Sequence, residues 1–254
     1  MIWHLYDYYL DAGGGYYGTK KACEPIHVQY SYDDHSVYVV NSEYRAAGKL
    51  EAEATLYDLH MKQLFSQHAT VDSTADSSLK ALTIPSEDFS DESPVHFVQL
   101  LLKNSNGAIV SRNFYWVPAK PTAFDWSKTD YTHTPASSHE DFTALRQLPK
   151  TEIESSLRVE NDGTWRVHLH NPSKVLAFQV AVDTVDKKGI GVSPVTWSDN
   201  YIELVPGETR ELSATPPVAA AEASIIVSGW NIASTTLKPH ARETAALQES
   251  NQGR

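Results

Sequence analysis

From about residue 37 onward, apolar and polar positions alternate with a period of two in short stretches. Leu50, Ala52, Ala54 and Leu56 are interleaved with Glu51, Glu53, Thr55 and Tyr57. Successive side chains of an extended chain point to opposite faces, so this pattern predicts a strand with one face in a core and the other in water. Val95–Lys103 and residues 108–117 flank the turn sequence Asn104-Ser105-Asn106-Gly107 and predict a hairpin. Further on, Trp165, Val167 and Leu169 alternate with Arg166, His168 and His170, while Leu176, Phe178, Val180 and Val182 supply another inward face. Pro206-Gly207 marks a turn, and residues 224–230 read as a closing strand. The pattern predicts two all-β domains, residues 33–119 and 150–236, each a sandwich of seven to nine strands.

Two stretches break the rhythm. Residues 120–149 hold Pro121, Pro135 and Pro149 with little alternation. They read as an interdomain crossing that packs Trp126 and Tyr131 on a neighbour, with a short helix near residues 141–147. Residues 1–32 combine an aromatic stretch, the glycines Gly13, Gly14 and Gly15, and a helix expected within residues 18–31, with Thr19 as N-cap and Pro25 shortening or kinking it. A loop and helix with no sheet of their own, ahead of two β-domains, suggest a chain entered partway through a larger protein. Residues 237–254 turn to Ala, Glu, Gln and Asn and read as a flexible tail.

Composition narrows the function classes. The 254 residues suit about two domains, and thirteen Tyr and six Trp against two Met fit β-rich domains better than a helical bundle. No run approaches the roughly 20 apolar residues of a membrane helix. Met1 is followed directly by aromatics, without a basic segment or small-residue cleavage site. One cysteine excludes an intrachain disulfide framework. With 21 basic against 32 acidic residues the net charge is -11, which repels nucleic acid and attracts a cationic polysaccharide, although the same acidity serves ordinary solubility.

The blocks IWHLYDYYL, KKACEPIHVQYSYDD, NFYW, PVTWSDN and SGWN resemble the C-terminal third of glycoside hydrolase family 2 enzymes, in particular the exo-β-D-glucosaminidases. The resemblance runs from Ile2 to about Asn231. It implies two immunoglobulin-like β-sandwiches preceded by the last loop and helix of a truncated (β/α)8 barrel, in a retaining enzyme that trims β-1,4-linked glucosamine from chitosan oligosaccharides without a cofactor. The rest of that enzyme would be the structural partner and glucosamine oligosaccharides the ligand. The family suggests a secreted protein. A β-mannosidase-type enzyme is the related alternative, and a non-catalytic immunoglobulin-like protein binding polysaccharide or protein is the alternative of a different class.

No position here matches either catalytic carboxylate of that family, and the acids fall on strand faces or in loops, so no catalytic residue is assigned. The resemblance makes Trp3, Tyr6, Asp7 and Tyr8 the candidate substrate-binding residues, on a loop at the catalytic end of the barrel. The bland alternative for each is burial against the barrel end and the next domain. Cys23 reads as a small buried hydrophobe. His168 and His170 share a strand face but lack further ligands, so no metal site is assigned. Trp197 beside Asp199 and Asn200 reads as a domain anchor more readily than a sugar platform, and Trp230 as a closing residue of a sandwich core. Asn104, Asn161, Asn171 and Asn200 do not begin N-glycosylation sequons. Ile2, Leu5, Leu10, Ile26 and Val28 would bury against barrel strands outside this chain, which predicts that residues 1–30 are mobile or sticky while the sandwiches fold without them.

Overall fold

The computed structural model describes residues 5–85, 89–216 and 223–238. Among the described residues one α-helix, α1 (Gly14–Ala22), precedes sixteen strands. The first sandwich comprises β1 (Ile26–Tyr30), β2 (Ser36–Asn41), β3 (Gly48–Tyr57), β4 (Gln63–Ser73), β5 (Ser77–Thr83), β6 (Val95–Lys103) and β7 (Ile109–Pro118). Its sheets run β1-β2-β5 and β4-β3-β6-β7, with every pair antiparallel. The crossing carries the short pair β8 (Ala123–Phe124) and β9 (Ala136–Ser138). The second sandwich holds β10 (Glu154–Val159), β11 (Trp165–His170), β12 (Ala177–Val185), β13 (Ile202–Leu204), β14 (Thr209–Ala214), β15 (Ser224–Gly229) and β16 (Ile232–Leu237), in sheets β10-β11-β14 and β13-β12-β15-β16. Among the described residues each sandwich therefore has seven strands, within the seven to nine expected.

The predicted inward faces are buried where the period-two pattern is clean. Leu50, Ala52, Ala54 and Leu56 line the first core with Val98, Leu100 and Leu102, and Trp165, Val167 and Leu169 line the second. The β12 face departs from expectation. A bulge between Ala177 and Val180, with Gln179 at φ 52, shifts the strand by one residue. Because side chains alternate, such a shift exchanges faces. Val180 and Val182 enter the second core, while Leu176 and Phe178 turn toward the first domain. There they join Val95 and Phe97 of β6 and Leu145 and Leu148 of the crossing in a third apolar cluster that joins the two sandwiches.

The crossing corrects a second expectation. Trp126 and Tyr131 are 72% and 105% exposed, and the packing is done by Phe142, Leu145 and Leu148 around a 3-10 turn, Thr143–Gln147. Trp230 is not a core residue either. It is 52% exposed, stands edge-on to Phe178, and donates its indole N–H to the Leu145 carbonyl across 2.9 Å, so it fastens the crossing to the second domain. Its neighbour is closely packed: a Cβ on Gly229 would lie 2.8 Å from Ile232 Cδ1 and 3.1 Å from the Phe178 carbonyl oxygen, so any larger residue forces both to shift.

The opening segment differs most from the sequence expectation. The helix lies earlier than residues 18–31 and starts at the glycines, with Gly13 as N-cap. Pro25 ends the helical region rather than kinking it, and Ile26–Tyr30 is a strand paired with β2. Its other edge is capped by side chains of β7. Ser111 Oγ accepts from the Val28 N–H, Tyr115 Oη accepts from the Tyr30 N–H, and Asn113 Nδ2 donates to the Val28 carbonyl. Val28 is fully buried in the first core with Ile26 packed beside it, whereas Leu5 and Leu10 stay exposed; Ile2 lies outside the described residues. The segment is also not orphaned, because α1 docks on the second sandwich. Tyr17 is only 3% exposed within that core, and its hydroxyl accepts the Trp197 N–H at 3.2 Å. Lys20 Nζ donates to the carbonyls of Trp197 and Ser198.

Candidate functional site

Of the predicted substrate-binding residues, Tyr6, Asp7 and Tyr8 stand together on a tight hairpin, and Trp3 lies outside the described residues. Tyr6 bridges Ala12, the Asp7 N–H donates to the Asp11 carbonyl, and Leu10 turns the chain at φ 64. Asp7 Oδ1 accepts the N–H groups of Tyr9 at 2.8 Å and Asp11 at 3.0 Å. One carboxylate oxygen of this exposed side chain therefore holds the turn. Tyr8 is 91% exposed and meets Tyr9 edge to face at 5.3 Å. Tyr6 leans on Tyr16, Tyr16 on Tyr17, and Tyr17 on Tyr201, at centroid distances of 6.2, 5.1 and 6.1 Å. This aromatic chain ties the hairpin to the second sandwich, so the exposed rings are presented from a fixed base.

The remaining candidates resolve plainly. Trp197 is 2% exposed and packs on Trp165, so it anchors the domain and offers no face to a sugar. His168 points outward on β11 beside Arg166, which pairs with Glu160 and Glu211. Among the described residues no group of three His, Cys, Asp or Glu is arranged to hold a metal ion. Cys23, expected to be buried, is exposed at the helix C-cap, where its backbone N–H donates to the Thr19 and Lys20 carbonyls.

The sequence gives no hint of the charged clasp that joins all three units. Lys21 of α1 pairs with Asp199 at 3.1 Å, and Arg210 of β14 reaches Asp199 at 2.8 Å and Glu208 at 3.9 Å. Glu208 holds Arg112 of β7 in the first sandwich at 2.7 Å. The residues are distant in sequence, and single charges on strand ends give no pattern that could link them. Beside the clasp a cleft of about 390 Å3 opens between the sandwiches, lined by Trp116, Tyr201, Gln179 and Glu203 among others. Among the described residues Glu203 accepts only the Gln179 amide N–H, at 2.9 Å. Desolvation, with a smaller repulsion from Asp199, pushes its carboxyl up to about 8.

That raised value has a definite sign in stability. Below the unfolded carboxyl range the group is protonated in both states and contributes nothing. As pH rises toward 8 the unfolded chain gives up a proton that the fold retains, so stability falls, and above 8 the full penalty applies. Glu203→Gln keeps the bond from Gln179 and removes the ionisation. Its melting midpoint is expected to match the wild type at pH 4 and to exceed it at pH 9. Parallel pH–midpoint curves for the two proteins would contradict this.

Comparison with known proteins fits this architecture. Residues 33–120 match the family model of the mannosidase Ig/CBM-like domain, and residues 131–232 that of the exo-beta-D-glucosaminidase Ig-fold domain. The class is thus a pair of immunoglobulin-like domains of glycosidase type. An exo-beta-D-glucosaminidase of Streptomyces avermitilis is 40% identical over 248 residues, covering 93% of this chain and 27% of the relative. One from Amycolatopsis orientalis is 35% identical over 246 residues, covering 93% and 24%. The crystal structure of the Amycolatopsis orientalis exo-chitosanase CsxA superposes with a TM-score of 0.86 at 35% identity, covering 93% of this chain and 29% of that one. Over most of its length the chain is thus similar to the C-terminal, immunoglobulin-like part of exo-beta-D-glucosaminidases. It spans about a quarter of the length of the curated relatives it matches.

Proposed function

We propose that this chain is the supporting region of a retaining family 2 glycoside hydrolase that removes β-1,4-linked glucosamine from the non-reducing end of chitosan oligosaccharides. The observation that carries the proposal is the similarity to exo-beta-D-glucosaminidases over 93% of the chain. In such an enzyme residues 1–22 are the end of the barrel, and the hairpin at Tyr6–Asp7–Tyr8, with Trp3 beside it in sequence, forms one wall of the sugar pocket. Exposed tyrosine rings pack on the apolar face of a pyranose, and the exposed carboxylate of Asp7 accepts from a hydroxyl or an ammonium. The clasp of Lys21, Asp199, Arg210, Glu208 and Arg112 supports this role by fixing the helix behind the hairpin to both sandwiches. The partner is the remainder of the enzyme. No helix among the described residues is long and apolar enough to cross a membrane.

The chemistry requires a proton donor and a nucleophile on two carboxyl groups ~5–5.5 Å apart across the scissile bond. No acid of this chain stands in a sequence block that matches either catalytic carboxylate of that family, so we place both groups in the remainder of the enzyme. The purified chain is expected to release no glucosamine from chitosan oligosaccharides above a buffer blank. Turnover that survives repurification and disappears on replacing a single carboxylate would overturn that expectation. A β-mannosidase-type specificity is the second reading, favoured by the family match of residues 33–120. Rates of the whole enzyme on paired β-glucosaminide and β-mannoside substrates separate the two.

A further inference from the structure

A second groove, of about 1030 Å3, runs between the first sandwich and the crossing, away from the opening hairpin. Trp116, Phe124 and Phe142 supply its aromatic walls, and Asp33, Glu140 and His96 its polar groups. We propose that this groove is a separate carbohydrate site that takes a β-linked oligosaccharide of amino sugars. The amino-sugar part rests on the substrate class proposed above; the groove itself does not.

Three observations point to that ligand. Phe124 is half exposed on the β8–β9 pair, braced by Trp126 at 5.6 Å, so an apolar ring face stands open beside polar groups. A pyranose needs this combination, because its C–H face is apolar and its edge is ringed with hydroxyls. His96 is only 2% exposed, and its Nε2 has no hydrogen-bond partner among the described residues. A buried polar atom left unpaired is costly, and because this nitrogen is closed to solvent a sugar hydroxyl would satisfy it only by opening the groove wall at His96. Burial also holds this imidazole below its usual range, which keeps it neutral. Finally, Asp33 accepts from Ser31 Oγ, and the Glu140 backbone N–H donates to Thr122 Oγ1, yet neither carboxylate has a lysine or arginine partner among the described residues. Two uncompensated carboxylates in a chain of net charge -11 complement the ammonium groups of a glucosamine oligomer.

The test is calorimetric titration of the 254-residue chain with a glucosamine tetramer, its N-acetylated counterpart and a glucose tetramer of the same linkage. The wild type is expected to saturate with the glucosamine tetramer and to bind the two neutral tetramers more weakly. Phe124→Ala should weaken all three by about tenfold, and Glu140→Gln only the glucosamine tetramer. Both side chains are exposed, and circular dichroism checks that the fold is intact. Absence of saturable binding would overturn the proposal, as would stronger binding of the neutral tetramers. So would binding that both variants retain but Tyr6→Ala or Tyr8→Ala abolishes, since that places it on the opening hairpin. The substrate class stands or falls separately: if the whole enzyme cleaves mannosides and not glucosaminides while the groove still binds the glucosamine tetramer, the proposed activity fails and the groove remains.

Discussion

Replacing Asn231 with leucine is expected to lower the melting midpoint of the second sandwich by roughly 15 °C or more, or to unfold it outright. Asn231 is 1% exposed and sits where the crossing, β12 and the β15–β16 turn meet. Its Nδ2 donates to the carbonyls of Pro149 at 2.8 Å and Leu176 at 2.7 Å, and its Oδ1 accepts the Phe178 N–H at 3.0 Å. Leucine fills nearly the same volume, so little of the cost is a cavity; the loss is three backbone bonds. A buried polar group stranded in this way costs about 1–3 kcal/mol, so three amount to roughly 3–9 kcal/mol against a typical stability of about 5–15 kcal/mol. Asn231→Asp should fall nearly as far, because a carboxylate can still receive the Phe178 N–H but sets negative charge against two carbonyl oxygens. A fall below about 4 °C in the leucine variant would mean that water or a backbone shift replaces these bonds.

The same device recurs at Asn41, Asn171 and Asn200, all buried, each donating its amide to backbone carbonyls and accepting backbone N–H groups where strands part. None was legible in the sequence, where asparagine reads first as a turn residue. What was legible is what period two encodes directly: the β3 face, the β6–β7 hairpin and the β11 face. The β12 face was misread because one extra residue at the bulge, taken up by Gln179 at positive φ, leaves no mark on composition yet exchanges every later side chain. Strand β1 did carry its signal. Ile26, Val28 and Tyr30 alternate with His27 and Gln29 directly after Pro25, which cannot continue a helix. The expected hairpin residues of the candidate site lie together, but the clasp behind them joins Lys21, Arg112 and Asp199 across the fold, a link that no local pattern contains.

Tyr17→Ala is expected to release the opening helix while leaving both sandwiches folded. A nine-residue helix is marginal in water on its own, so α1 is helical because it is docked. Tyr17 is its only buried side chain, lodged among Trp197, Tyr201 and the second core. Truncating a buried aromatic costs about 3–5 kcal/mol, and here the Trp197 N–H loses its acceptor as well. Of the remaining polar attachments, Lys20 to two carbonyls is partly exposed, and Lys21 to Asp199, although mostly buried, ties down only the last turn of the helix. The cost is therefore capped by the free energy of undocking, after which the core closes over the gap. Hydrogen exchange should show protection lost across residues 14–22, with β11 and β12 amides protected as before and β1 unchanged. Tyr17→Phe, which gives up only the acceptor, should lose part of that protection. Uniform loss across the second sandwich would instead make the helix integral to that domain's folding, and unchanged protection in Tyr17→Ala would mean that the lysine contacts suffice to hold it.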